Sequence, residues 1–550
     1  MTRLKAVMVV GVAPLALMCV SAFAAEAPKA ACEKLAATKI ASTAVKSTFL
    51  TTPQELDAAF QNPDSRATAP GASSPALAAL PFCRVEVTIT PAAGADIKSE
   101  LWLPAAEKWN KRYVAVGAGG SAGTIDRGAL AGGVAAGYAV ATSDAGSHST
   151  ELLSMSFGRN PEWAANRAYR GVHLTAVAAK QLVQNYYQGA PRASLFMGCS
   201  GGGYEAMSLL QRYPDDYDGV LAGDPALHWE KIGLWQGMAY VATHRDPSAN
   251  ISAAKLMTIN KAALKSCDAL DGVTDGVIDD PRKCKVDFKA LQCKGAETDE
   301  CFTPAQAEAL TKIYAPFVHP RTKEYLFPGF TYGAETAQAA RARLAGEALG
   351  STISAGHPGP LVWTLPENFT AKDWLTFDFD KGTDAAIKAF APYSNSDPDL
   401  SKFKQKGGKV IMYSGWADPN LNPETLVNYY EQMKKKLGGD AAVNAFSRLF
   451  MAPGMNHCSG GPGPNIFGQP LANAFDTKTD AGNNILLALD RWVVDGVAPE
   501  QVTALKYVDN DKTKGVQRTR PLCAYPKVAK WSGTGSTDDA KNFSCVVPQD

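Results

Sequence analysis

The 550-residue sequence has no charge of one sign to spare. Its 55 Lys and Arg stand against 54 Asp and Glu, so no basic excess exists to hold a phosphate backbone, and nucleic acid is excluded as a partner. It has no acidic tail, no internal repeat and no low-complexity tract. Beyond residue 24 it has no apolar run near the roughly 20 residues that cross a bilayer, so no membrane-spanning segment is expected in the mature chain and a membrane is excluded as a partner. It has no Cys-x-x-Cys pair, so its cysteines do not read as a zinc ribbon. Histidine is scarce, at seven residues, which later narrows the choice of a base. Disorder is excluded by a composition that is 46% hydrophobic and 20% charged, ample for a large core.

What is present begins with a leader pattern. Arg3 and Lys5 precede an apolar run over residues 6–20, and Ala22-Phe23-Ala24 fits the small-x-small pattern of signal peptidase. Residues 1–24 are therefore expected to be a signal peptide and the product secreted or periplasmic. Met18 ahead of Cys19 is too large for the usual lipobox, which argues against a lipid anchor. An oxidising compartment favours disulfides, and the ten cysteines after residue 24 are an even number, so five disulfides with no free thiol are expected.

Strand-like runs at residues 85–89, 99–103, 113–116, 138–142 and 193–197 surround helical text at 164–187, and a further helix follows at 204–213. Sheet-like text returns only at 409–413 and 448–451. Such alternation predicts a mostly parallel sheet covered on both faces. Residues 226–400, rich in helices, cysteines and polar loops, read as an insertion between the strand before Ser200 and the strand at 409–413. An insertion there sits above the carboxyl ends of the sheet, where open α/β folds bind ligands, and is expected to be a lid domain. Residues 25–225 and 401–550 would form the catalytic domain.

Gly198-Cys199-Ser200-Gly201-Gly202 satisfies G-x-S-x-G, between an apolar strand and a helix closed by Pro214. In that context the serine occupies a strained turn and its hydroxyl projects above the sheet. The hydroxyl needs a base to take its proton, and in this fold the partners follow in the order Ser, Asp or Glu, His. His457, in a loop after a strand, is the only histidine beyond residue 357 and so the base for any late acid. Asp418 follows the strand ending at 413 by the short turn Ser414-Gly415-Trp416-Ala417; its rival, Asp440, lies in a polar loop after a helix. Two backbone amides must face the developing oxyanion. Gly201 supplies one, and Gly120, or Gly119 in its place, the other, from the Gly-rich turn after residue 116. Together these features predict an α/β-hydrolase fold with a large inserted lid domain.

A cysteine directly before Ser200 and another directly after His457 resemble the signature of the tannase and feruloyl esterase family. The resemblance covers nearly all of the chain after residue 24. It takes in the turn at 117–123, the glycines to Gly203, the aspartates after Cys267, residues 414–418, Asn456-His457-Cys458, and the tail Arg520-Pro521-Leu522-Cys523-Ala524-Tyr525-Pro526. It implies a Cys199–Cys458 disulfide and, by order along the chain, Cys32–Cys83, Cys267–Cys284, Cys293–Cys301 and Cys523–Cys545. It also implies a structural calcium ion in the lid, bound by Asp268, Asp271 and Asp275 with the carbonyls of Val273 and Val277. Three carboxylates within eight residues, interrupted by glycines, suit a hard cation that wants six to eight oxygens. The loop is not an EF-hand, because Arg282 rather than Glu stands twelfth from Asp271.

The expected activity is that of a secreted serine carboxylic ester hydrolase working through an acyl-enzyme on a small aromatic ester, of ferulate or gallate type. A hydrolase of mono(2-hydroxyethyl) terephthalate, from the same family, is the close alternative. A serine peptidase on the same fold is a further one, and the intact triad opposes a calcium-dependent binding protein with a hydrolase shell. Aromatic residues in the insertion, among them Trp229, Trp235, Phe327, Trp363 and Trp374, would suit an aromatic acyl group, though each singly suits core packing better. Oligomeric state is not legible in the sequence.

Overall fold

The computed structural model describes residues 28–60, 80–121, 123–149, 155–345, 361, 363 and 365–548; the expected signal peptide lies outside them. Seven strands precede the insertion: β1 (Thr43–Leu50), β2 (Phe82–Ile89), β3 (Ile97–Pro104), β4 (Arg112–Val116), β5 (Ala139–Ser143), β6 (Ala193–Cys199) and β7 (Gly219–Gly223). The insertion carries a short hairpin of β8 (Phe317–Val318) and β9 (Tyr325–Phe327), and β10 (Lys409–Gly415) and β11 (Ser447–Ala452) follow it. Nine of these form one sheet in the order β1-β2-β3-β5-β4-β6-β7-β10-β11. Pairings from β1 through to β5 are antiparallel, and those from β5 to β11 are parallel.

The burial of each strand follows from its place. β1, at the edge, alternates half-buried and exposed side chains, whereas β5, β6 and β7 are buried along their whole length. Full burial is what a parallel sheet with helices on both faces requires. One face packs against the helices Gly171–Tyr187, Gly201–Arg212 and Glu424–Leu437, the other against Arg127–Ala135 and Ile485–Asp495. Strand order, crossovers and two-sided cover define the α/β-hydrolase fold. Between β7 and β10, residues from Ile232 to Ala386 build a separate apolar core around Leu234, Leu310, Phe327 and Trp374. After the sheet, β12 (Gln501–Tyr507) and β13 (Val516–Cys523) pair as an antiparallel ribbon.

Three local outcomes differ from the sequence reading. The helix expected over 164–187 starts at Pro161, where the Asn160 side chain accepts from the amides of Glu162 and Trp163 and caps it. It then passes through a π-helical turn, Asn166–Arg170, before continuing as Gly171–Tyr187. The helix expected from residue 204 begins at Gly201, directly after Ser200. Neither β1 nor β7 stands out in the sequence; β7 is five residues, two of them glycine, with little β propensity.

Candidate active site

β6 ends at Cys199 and the helix Gly201–Arg212 begins two residues later, which leaves Ser200 alone in the turn at φ 63° and ψ −118°. A residue with a side chain is held there at a cost, and its neighbours must be small for the turn to close. A Cβ on Gly198 would lie 2.4 Å from the Gly202 carbonyl oxygen, and one on Gly203 would lie 2.2 Å from that of Gly223. The Ser200 amide donates to the Gly223 carbonyl at 3.0 Å, so β7 fixes the turn from beside it.

Asp418 sits just past β10 and is buried. Its Oδ1 accepts from the amides of Asn420 (2.7 Å) and Leu421 (3.1 Å), and its Oδ2 accepts from His457 Nδ1 at 2.7 Å. The histidine loop follows β11 and is stitched to the acid turn, with the Trp416 amide donating to Ala452 and the Ala417 amide to Met455, both at 2.9 Å. Cys199 and Cys458 are bridged with their Cα atoms 6.0 Å apart, which brings the immediate neighbours Ser200 and His457 to one place. Asp440 is not at the site; it is an exposed residue paired with Lys434 at 2.7 Å. The other four bridges join Cys32 to Cys83, Cys267 to Cys284, Cys293 to Cys301 and Cys523 to Cys545.

A second carboxylate, Asp224, was not singled out from the sequence. It follows β7 as Asp418 follows β10, at φ 34°, and is buried. Its Oδ1 accepts from the Ser414 hydroxyl at 2.7 Å and the Gly415 amide at 3.0 Å, and its Oδ2 from the Cys458 amide at 2.8 Å. Asp224, Asp418 and His457 each place one polar atom within 4.8 Å of the others. Burial first, then the Asp418 charge, pushes the Asp224 carboxyl up to about 7, against the pull of His457. Cys199 Sγ lies 3.5 Å from Oδ2 and, being in a disulfide, has no proton to give. The signal available in the sequence was an aspartate closing a short apolar run, Gly219-Val220-Leu221-Ala222-Gly223.

The two expected oxyanion donors lie on backbone segments in contact, since a Cβ on Gly201 would sit 2.1 Å from the Gly120 carbonyl oxygen. Gly120 itself is at φ 73°, open to glycine at little cost. Of the aromatic residues in the insertion, Trp235, Phe327 and Trp374 belong to its own core. Trp363, and Trp229, which also touches that core, pack with Phe390, Tyr393 and Leu421 around Tyr204, four residues beyond Ser200.

The acidic loop follows the helix Ala253–Cys267. Asp268 accepts from the Asp275 and Gly276 amides (3.1 and 3.2 Å), and Asp271 from the Val273 amide at 3.0 Å. Asp275 Oδ1 accepts from the Val277 amide, while its Oδ2 receives Arg518 at 2.9 Å and Arg520 at 2.8 Å from β13. Asp275 therefore shares its charge with two arginines, and among the described residues the three carboxylates do not converge on a single point within 4.8 Å. The donors are all oxygen, and each carboxylate keeps lone pairs that the amides do not use, which fits a calcium ion.

The fold and this arrangement define an esterase of the α/β-hydrolase class. Residues 83–546 match the family model for tannase and feruloyl esterase. An uncharacterized esterase of Xanthomonas campestris is 38% identical over 506 residues, covering 86% of this chain and 85% of that protein. A probable feruloyl esterase B-1 of Aspergillus oryzae is 30% identical over 490 residues, with 86% of each covered. Among solved structures, feruloyl esterase B from Aspergillus oryzae superposes with a TM-score of 0.81 at 26% identity, over 94% of this chain and all of that one. Tannin acyl hydrolase from Aspergillus niger shares the fold, with a TM-score of 0.66 at 20% identity over 95% and 94% of the two chains. The chain belongs to the tannase and feruloyl esterase family and is a carboxylic ester hydrolase.

Proposed function

We propose that the chain is an exported hydrolase of aromatic acid esters, of feruloyl esterase or tannase type, acting through Ser200, His457 and Asp418. The observation that carries this is the 2.7 Å contact from His457 Nδ1 to a buried Asp418, with Ser200 and His457 held together by the bridge between their neighbours. In that tautomer Nε2 carries no proton of its own and takes that of Ser200 as the hydroxyl attacks the ester carbonyl, and Asp418 stabilises the imidazolium that forms. The Gly201 and Gly120 amides hold the oxyanion. The alcohol leaves with the proton from His457, an acyl-enzyme remains, and water activated by the same histidine releases the acid. Trp229, Trp363, Phe390 and Tyr393 beside Tyr204 are suited to face an aromatic acyl group.

Export is supported by five disulfides, which persist in oxidising compartments, and by the leader pattern; among the described residues no helix is long and apolar enough to cross a membrane. Calcium would be held by Asp268, Asp271 and Asp275 with the carbonyls of Val273 and Val277, where it would neutralise charge and fix the loop. The residues from 226 to 400 serve as the lid.

Ser200→Ala decides the catalytic assignment. The folded variant should keep no more than about a thousandth of the wild-type rate on methyl ferulate or methyl gallate and should no longer take up a serine-directed phosphonate. A variant that still hydrolyses either ester at a tenth of the wild-type rate or more overturns it.

A further inference from the structure

We propose that Arg167 and Glu205 are positioning residues for ester hydrolysis, one buried ion pair that sets the Gly119–Gly120 peptide so that its N–H faces the oxyanion. The inference rests on the proposed function above. The two side chains are each 1% exposed and meet at 2.8 Å between Arg167 Nη1 and Glu205 Oε1. Their remaining polar atoms go to the Gly-rich turn. Arg167 Nη2 donates to the Gly120 carbonyl at 2.9 Å and its Nε to the Ser121 carbonyl at 2.5 Å, while Glu205 Oε2 accepts the Ala118 amide at 3.0 Å. The Gly119–Gly120 peptide thus lies between a grip on the amide of Ala118 and a grip on the carbonyl of Gly120. Both grips come from elements tied to the nucleophile: Glu205 is on the helix that starts at Gly201, and Arg167 is in the π-helical turn packed against that helix.

Stability alone does not account for this pair. A buried ion pair is weak evidence for stability, because apolar residues of the same volume often do as well. Burial pushes the Glu205 carboxyl up to about 7 even with the Arg167 charge pulling it down. Three directed hydrogen bonds to one turn are what an apolar pair could not provide. The clearances are also tight, since a Cβ on Gly201 would meet Arg167 Nη2 at 2.6 Å and one on Gly117 would meet Glu205 Oε2 at 2.8 Å. An amide aimed at an oxyanion must be in place before the charge develops, and misplacement near 1 Å costs about a hundredfold in rate.

The test compares Arg167→Met, Arg167→Lys and Glu205→Gln with wild type and Ser200→Ala, on methyl ferulate. Arg167→Met should lower kcat by about thirtyfold or more with KM within about threefold, the pattern of a lost transition-state interaction. The inhibition constant of a benzeneboronic acid, whose serine adduct is tetrahedral, should rise by a similar factor, while that of the product ferulate stays constant. Arg167→Lys, which keeps the charge and part of the donor set, should recover a portion of both. If Arg167→Met does not fold, the isosteric Glu205→Gln decides, with an expected loss of about tenfold in kcat and in boronate affinity. Folded variants with wild-type kcat and boronate affinity, in an enzyme that Ser200→Ala inactivates, overturn the positioning role alone. A Ser200→Ala variant that retains activity overturns the underlying reading instead.

Discussion

Asp224 is the residue at which the site departs most from a simple triad. Two carboxylates close to one histidine cannot both carry charge cheaply, and at Asp224 burial and the Asp418 charge outweigh the hydrogen bonds that favour its ionised form. Asp418 receives the imidazole, whereas Asp224 spends its oxygens on Ser414, Gly415 and Cys458 and so braces the acid turn against the histidine loop. Its carboxyl, near 7 when folded, keeps a proton that the unfolded chain, with the ordinary value of 3.8, has already lost. The stability this group contributes is complete below the unfolded value and declines as pH rises through the folded one. Asp224→Asn cannot titrate, so the melting temperature of wild type should fall relative to that of the variant between about pH 4 and pH 7. Parallel melting curves across that range would show that Asp224 stays ionised. The variant should also lose kcat, because an amide nitrogen placed toward the Cys458 amide sets donor against donor.

The elements that carry the site are joined end to end, and the Cys199–Cys458 bridge joins two of them covalently. The chain-entropy model assigns so long a loop on the order of 5 kcal/mol, but its effect on geometry should be larger than its effect on stability. Changing both cysteines to serine should therefore cut kcat by about a hundredfold in protein that is still folded by circular dichroism at the assay temperature. Activity within twofold of wild type would assign the bridge to stability alone. The same elements show what the sequence makes legible. β4, β6, β10 and β11 are apolar runs long enough to read directly, and Ser200, Asp418 and His457 follow from the order of the motif and the scarcity of histidine. β7, no shorter than β4 but with glycine at both ends, is too rich in glycine to be read as a strand, and Asp224 was missed with it. Arg167 was missed for another reason: the π-helical turn that aims it at the Gly-rich loop leaves no periodic trace, because it shifts the helix by one residue inside an otherwise regular pattern. Glu205 is one polar residue in a helix that buries Ser208 as well, and only the tertiary approach of Arg167 gives it a role.

At the scale of the whole molecule, the acidic loop is a junction between the insertion and the C-terminal ribbon. Asp275 belongs to the first, and Arg518 and Arg520 to the second. A calcium ion that bound the native loop alone would add stability by mass action. Excess chelator should lower the melting temperature by several degrees while initial rates at low temperature stay within about twofold, and elemental analysis should find one calcium per chain. Unchanged melting together with no bound metal would remove calcium from the description. Arg518→Ala and Arg520→Ala together leave Asp275 without a counter-charge from protein and should make the chain more dependent on the ion.

The bridge between Cys199 and Cys458 spans 259 positions and so turns the insertion into part of a covalent ring. A protease that nicks the chain anywhere between those two cysteines opens the ring without releasing a fragment, because β6 and the histidine loop remain linked through sulfur. Ser200 and His457 then stay on one molecule after such a cut. That tolerance ends only on reduction, when the cut chain falls into pieces.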